Sequence, residues 1–266
     1  MTTRPRAEIG IFGGSGFYAF LDDVREVEVA TPYGPPSAPL TLGRVGGRDV
    51  AFLPRHGRQH QFPPHMINFR ANLWAMKELG VSRIIGPCAT GSLRADVKPG
   101  QFVICDQLVD RTTARKDTFY DGPKTTHIAF ADPYCPELRP LAVATARDED
   151  IPCHDGGTMV VIQGPRFSTR AESRWFSANG WDVIGMTQYP EAYLARELEM
   201  CFVNVSLVTD YDVGVEGEIA AVTHEAVLEV FNANIEKLRR LLYGLVPRIP
   251  AERSCICSTA LSSASG

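Results

Sequence analysis

Long apolar runs are missing from this 266-residue sequence. Gly, Pro or a charge interrupts each one short of the ~18 residues a spanning helix needs, so no membrane partner is expected. A basic excess is missing as well. Lys and Arg number 27 against 31 Asp and Glu, a net charge of −4, which argues against a nucleic-acid partner. A secretory leader is not expected either: Glu8 interrupts the stretch after Arg4 and Arg6, and Gly13, Gly14 and Gly16 end it without a cleavage site. The seven cysteines form no even framework; they scatter at 88, 105, 135, 153, 201, 255 and 257, several inside apolar runs. Reduced thiols of a cytoplasmic protein are the expectation. Cys255 and Cys257, without a partner cluster, make a poor metal site, so no metal is expected. No G-x-S-x-G elbow occurs, which disfavours a serine hydrolase.

What is present is the composition of a folded protein, with 44% hydrophobic and 22% charged residues. Strand-like and helix-like stretches alternate, the mark of an α/β fold. Strands are expected at 7–12, 83–86, 102–105, 158–162, 182–186 and 201–209, with a hairpin of 39–45 and 49–53 around Gly46 and Gly47. Helices are expected at 66–79, 135–147, 170–178 and 190–199, the last opened by Pro190. A final helix starts at the Thr223 cap and carries the stripe Val227, Val230, Phe231, Ile235, Leu238, Leu241 and Leu242. Residues 110–133 read as a long loop. No linker divides the chain, so 7–245 is expected as one domain and 246–266 as a partly disordered tail.

Several strand ends carry chemistry. Gly13-Gly14-Ser15-Gly16 fits part of a dinucleotide fingerprint, yet no helix or acidic ribose ligand follows; an anion-binding turn and a plain structural turn both remain open. Arg55-His56-Gly57-Arg58-Gln59-His60 reads either as a solvated basic loop or as an oxyanion site gripped bidentately by Arg55. Pro87-Cys88-Ala89-Thr90-Gly91 offers backbone donors. Thr209-Asp210-Tyr211-Asp212 places two carboxylates on one side of an extended segment.

Together with Gly164-Pro165-Arg166-Phe167-Ser168-Thr169-Arg170-Ala171-Glu172 and Met186-Thr187-x-x-Pro190-Glu191, these motifs resemble the methylthioadenosine phosphorylases of the trimeric purine nucleoside phosphorylase family, over about residues 9–245. The resemblance implies a single α/β domain with a mixed, partly barrel-like sheet flanked by helices, assembled as a homotrimer. It implies phosphorolysis of a nucleoside to a purine base and a pentose 1-phosphate, with phosphate as co-substrate and no cofactor. By the same resemblance Ser15, Arg55, His56, Cys88, Ala89 and Thr187 surround phosphate, and Asp210 and His56 serve catalysis. Met186 lies against the ribose and Phe167 and Ser168 near the base; Asp210 faces N7 and Asp212 the 6-amino group. His224 and Val227 line the 5′ pocket, with His127 from a neighbouring subunit. Cys88 stands where the family usually has Thr, and His224 where its methylthioadenosine enzymes are typically apolar. A 6-oxopurine phosphorylase, with Glu at the position of Ser168 and Asn at that of Asp210, is the near alternative. A non-catalytic nucleoside-binding protein is the more distant one.

Overall fold

The computed structural model describes residues 6–13, 22–123, 125–213, 215, 221–262 and 264. Ser15 lies outside them. The first strand, β1 (Ile9–Gly13), is buried at all five positions because strands cover both its edges and helices both its faces. It runs parallel to β4 (Arg48–Pro54) and to β5 (Arg83–Ser92). The hairpin of β3 (Leu40–Val45) and β4 turns at Gly46 and Gly47, both with positive φ, as tight hairpins require. An antiparallel strand, β2 (Asp22–Val27), extends this edge. Beyond β5 the order continues through β10 (Val183–Gly185), β9 (Thr158–Ile162) and β7 (Gln107–Arg111). The long β11 (Cys201–Tyr211) pairs in parallel with β5 from Arg83 to Ser92, and then carries β6 (Phe102–Ile104) and β8 (Cys153–Asp155). The result is a single α/β domain with a mixed, branched sheet, as the family resemblance implied.

Helices cover both faces. On one, α1 (Phe69–Glu78) packs against α4 (Gln188–Glu197), burying Leu73, Met76, Leu194 and Ala195 in one core. On the other, α2 (Leu138–Asp148) packs against α5 (His224–Leu245), burying Leu138, Ala142, Leu238, Leu241 and Leu242 in a second. The short α3 (Arg170–Ala178) seats Phe176 on Val160 and Ile184. Among the described residues, no helix is long and apolar enough to cross a membrane.

The apolar stripe of α5 divides. Leu238, Leu241 and Leu242 enter the core, whereas Val227 and Phe231 face a cavity at the strand ends. The described part of 246–262 is packed rather than frayed. Arg83, 2% exposed, donates to the carbonyls of Pro250 at 2.6 Å and Glu252 at 2.5 Å, and a 3-10 turn spans Ile256–Thr259. Cys255 and Cys257 also have the partners they were expected to lack: Cys135 and Cys201, buried beside them. Chain separations of 54 residues and more hid that cluster.

Candidate active site

A cavity of about 670 Å³ opens where the ends of β1, β4, β5, β10 and β11 meet the first turns of α5. Its walls include Arg55, His56, Cys88, Ala89, Phe167, Ser168, Met186, Thr187, Asp210, Asp212, His224 and Val227. Two expected site residues are not among them: Ser15 lies outside the described residues, and His127 is exposed on the 112–133 loop and does not line the cavity.

Arg55 follows β4 directly and is 4% exposed. Nε and Nη2 donate to the two carboxylate oxygens of Glu191 at 2.6 and 2.9 Å, and Nη1 donates to the Pro87 carbonyl at 2.7 Å. Its bidentate face is thus spent on a buried carboxylate, and among the described residues two of the five guanidinium N–H groups have no partner and can serve a ligand. Burial pushes the Glu191 carboxyl up, while Arg55 and Arg115 pull it back. Glu191 stood in the Met186–Glu191 motif without an assigned role; only the fold reveals what it holds.

Burial lowers the pKa of His56 to about 4, with Arg55 and His60 adding to the fall against the Phe62 hydrogen bond. The ring is neutral at pH 7. Nδ1 lies 2.9 Å from the Phe62 carbonyl, an acceptor, so Nδ1 carries the proton and Nε2 the lone pair. A hydrogen-phosphate P–OH can donate to that nitrogen. His60 stacks on His56 at 4.3 Å between centroids and lies 6.0 Å from the ring of His224, which places a row of imidazoles along one wall. His60 was visible in the basic motif but had no assigned role. Thr187, 5% exposed, precedes α4 without capping it, which leaves its hydroxyl to the cavity it lines. The Cys88 thiol meets the Asn204 amide at 3.3 Å and the Ser206 hydroxyl at 3.6 Å; burial raises it, so it stays protonated.

The carboxylates stand at the end of β11. Burial pushes Asp210 up to about 6, the neighbouring Asp212 adds to the rise, and a 2.8 Å hydrogen bond donated by the Thr209 hydroxyl opposes it. Near neutral pH this acid can give up a proton. The Ser168 hydroxyl reaches both oxygens of Asp212, at 2.7 and 2.6 Å, and fixes the plane of that carboxylate. Gly91 makes the arrangement sterically feasible. A Cβ there would come within 2.9 Å of Asp210 Oδ1 and 3.0 Å of the Ile184 side chain.

Residues 8–247 match the phosphorylase superfamily. The chain is 54% identical, over 98% of its length and 96% of the relative's, to a purine nucleoside phosphorylase of Streptomyces coelicolor. It is 53% identical, over 97% of its length and 98% of the relative's, to an S-methyl-5′-thioadenosine phosphorylase of Thermofilum pendens. The crystal structure of a methylthioadenosine phosphorylase from an antarctic soil metagenomic library superposes with a TM-score of 0.93 at 39% identity, covering 99% of this chain and 93% of that one.

Proposed function

The chain belongs to the phosphorylase superfamily, and on that premise we propose that it cleaves 5′-methylthioadenosine, or a related 5′-substituted adenosine, to adenine and the pentose 1-phosphate. One observation carries the reading. A buried guanidinium, a neutral imidazole and the Thr187 hydroxyl share a single cavity with a carboxyl that holds its proton up to about pH 6.

Phosphate sits against Arg55, His56, Thr187 and the Ala89 backbone, with Cys88 beside it. A phosphate oxygen attacks C1′ while the C1′–N9 bond breaks, and the bond's electron pair goes to the base. The fixed anion also stabilises the oxocarbenium-like sugar between them. Asp210 gives its proton to N7 as charge gathers there, so adenine leaves neutral and the carboxylate is reprotonated from solvent. The step needs no metal or organic cofactor. Met186 and Phe167 supply the apolar walls for ribose and base.

Asp212, oriented by Ser168, keeps acceptor positions for a 6-amino donor. A 6-oxo group would set acceptor against acceptor, an unmade bond worth about 1–3 kcal/mol, or roughly 5- to 150-fold in discrimination. At the 5′ end, His60 and His224 stand with Val227, Leu228 and Phe231, a wall both polar and apolar. It favours tolerance of a 5′-hydroxyl beside the thiomethyl group. The enzyme works as a cytoplasmic homotrimer in this reading, with His127 serving a neighbouring subunit's 5′ pocket. The exposure of His127, Leu228 and Met66 on a single chain supports it.

The test is release of adenine or hypoxanthine with and without phosphate from methylthioadenosine, adenosine and inosine. Phosphate-dependent adenine release, with adenosine within about a hundredfold of methylthioadenosine in kcat/KM, is expected, and His224→Val should widen that gap. Inosine as the preferred substrate, or release that ignores phosphate, would refute the reading.

A further inference from the structure

Four cysteines from three separate stretches of the chain meet at the end of the domain remote from the cavity. Cys135 precedes α2, Cys201 opens β11, and Cys255 and Cys257 flank the exposed Ile256 at the 3-10 turn of the C-terminal segment. All four are buried and carry free thiols. Their Sγ atoms all lie within 4.8 Å of one another, with Cys201 and Cys255 at 3.3 Å and Cys135 and Cys255 at 3.7 Å. A disulfide asks only that one pair approach to about 2.05 Å and places no demand on the remaining pairs. Four sulfurs held mutually close match a different requirement. At a Zn–S distance of about 2.3 Å, a tetrahedral ion keeps its sulfurs about 3.8 Å apart.

The charge balance points the same way. Four thiolates on a divalent ion carry a net charge of −2, which a buried site must offset. Arg83 supplies part of that offset: its buried guanidinium, which also faces the Glu137 carboxylate at 3.6 Å, donates from Nη1 to Cys201 Sγ at 3.4 Å, while Nη2 holds the Pro250 and Glu252 carbonyls of the same C-terminal segment.

We infer that Cys135, Cys201, Cys255 and Cys257 form a structural site for a thiophilic divalent ion of the zinc class, which ties the C-terminal segment to the domain. Each thiol loses its proton to solvent as its sulfur–metal bond forms, and no electron is transferred. Four protein ligands close the coordination sphere, so the ion has no position for substrate. None of the four lines the cavity. Cys201 and Asp210 lie near opposite ends of β11, about 30 Å apart at ~3.3 Å per residue, so the site is not catalytic.

The full-length protein, purified under reductant, stripped with chelator and titrated with Co²⁺ and then Zn²⁺, tests this directly. The expected result is one Co²⁺ per chain, with thiolate charge-transfer and tetrahedral ligand-field bands that Zn²⁺ bleaches, and a Tm that Zn²⁺ raises. Cys255→Ser with Cys257→Ser should abolish the bands and the Tm shift and leave phosphorolysis unchanged. The wild-type titration decides the matter even if that variant fails to fold. Two outcomes overturn the site: no cobalt bands while all seven cysteines alkylate on denaturation, or four of them alkylating only after reduction, which would make the cluster a pair of disulfides.

Discussion

Arg55 and Glu191 have to be considered as a pair, because each is buried and each satisfies the other. Arg55→Ala strands a carboxylate in the interior, at a cost of about 3–5 kcal/mol. It also removes charge-assisted bonds to phosphate worth about 1.5–3 kcal/mol each. A lower Tm and a phosphate KM raised far more than the nucleoside KM are therefore expected, from melting curves and from kinetics at varied phosphate. Arg55→Met with Glu191→Leu replaces the pair by apolar groups, and should recover much of the Tm while the phosphate KM stays high. If phosphate KM is normal in both variants, Arg55 does not hold phosphate. Asp210 carries the opposite kind of tension. Its folded value of about 6 stands above the ordinary 3.8, so the native state keeps a proton that the unfolded chain releases. Stability must then fall as pH rises from about 4 to about 6, by at most roughly 3 kcal/mol. Asp210→Asn removes that titration. Relative to wild type it should gain stability between pH 4 and pH 7 in urea unfolding, and lose the decline of kcat/KM above about pH 6.

At the scale of elements, α3 shows how a helix end serves a binding wall. Thr169 accepts from the Glu172 amide at 3.2 Å, Glu172 accepts from the Thr169 amide at 2.8 Å, and Arg166 clamps the same carboxylate. The residue just before this capping box is Ser168, the partner of Asp212. Thr169→Ala should cost about 1 kcal/mol in chemical denaturation and raise the nucleoside KM while sparing the phosphate KM. Elements such as α3 and β1 were legible because apolar spacing or a short buried run announces them. The strands β7 and β8 were not: Gln107–Arg111 is largely polar and half-exposed, and Cys153–Asp155 is too short to alternate. The cavity residues could be listed from their motifs, yet their pairings could not. Nothing in the sequence says that Arg55 faces Glu191, or that Ser168 reaches Asp212, because both contacts cross between distant strand ends. The cysteine cluster was misread for the same reason, since spacing along the chain reports ligands only when they lie on neighbouring turns.

Across the whole molecule, β5 binds three neighbours, β1, β10 and β11, so the strand that presents Cys88, Ala89 and Gly91 is also the most heavily paired. Opening it means opening the sheet. Amide hydrogen exchange should therefore be slowest at Ile84 and Ile85, which lie in β5 between β1 and β11 and whose N–H groups only global unfolding exposes, and fast in the exposed first turns of α5. Comparable rates in the two regions would contradict this ordering. The division of α5 into a buried half and a cavity-facing half has an evolutionary consequence. Changes at Val227 or Leu228 remodel the cavity wall proposed to face the 5′ substituent with little effect on folding, whereas a cut at Leu241 removes core volume worth about 2–5 kcal/mol. On the proposed function, a lineage can exchange one 5′ substituent for another at those few positions and inherit the phosphate-binding end intact.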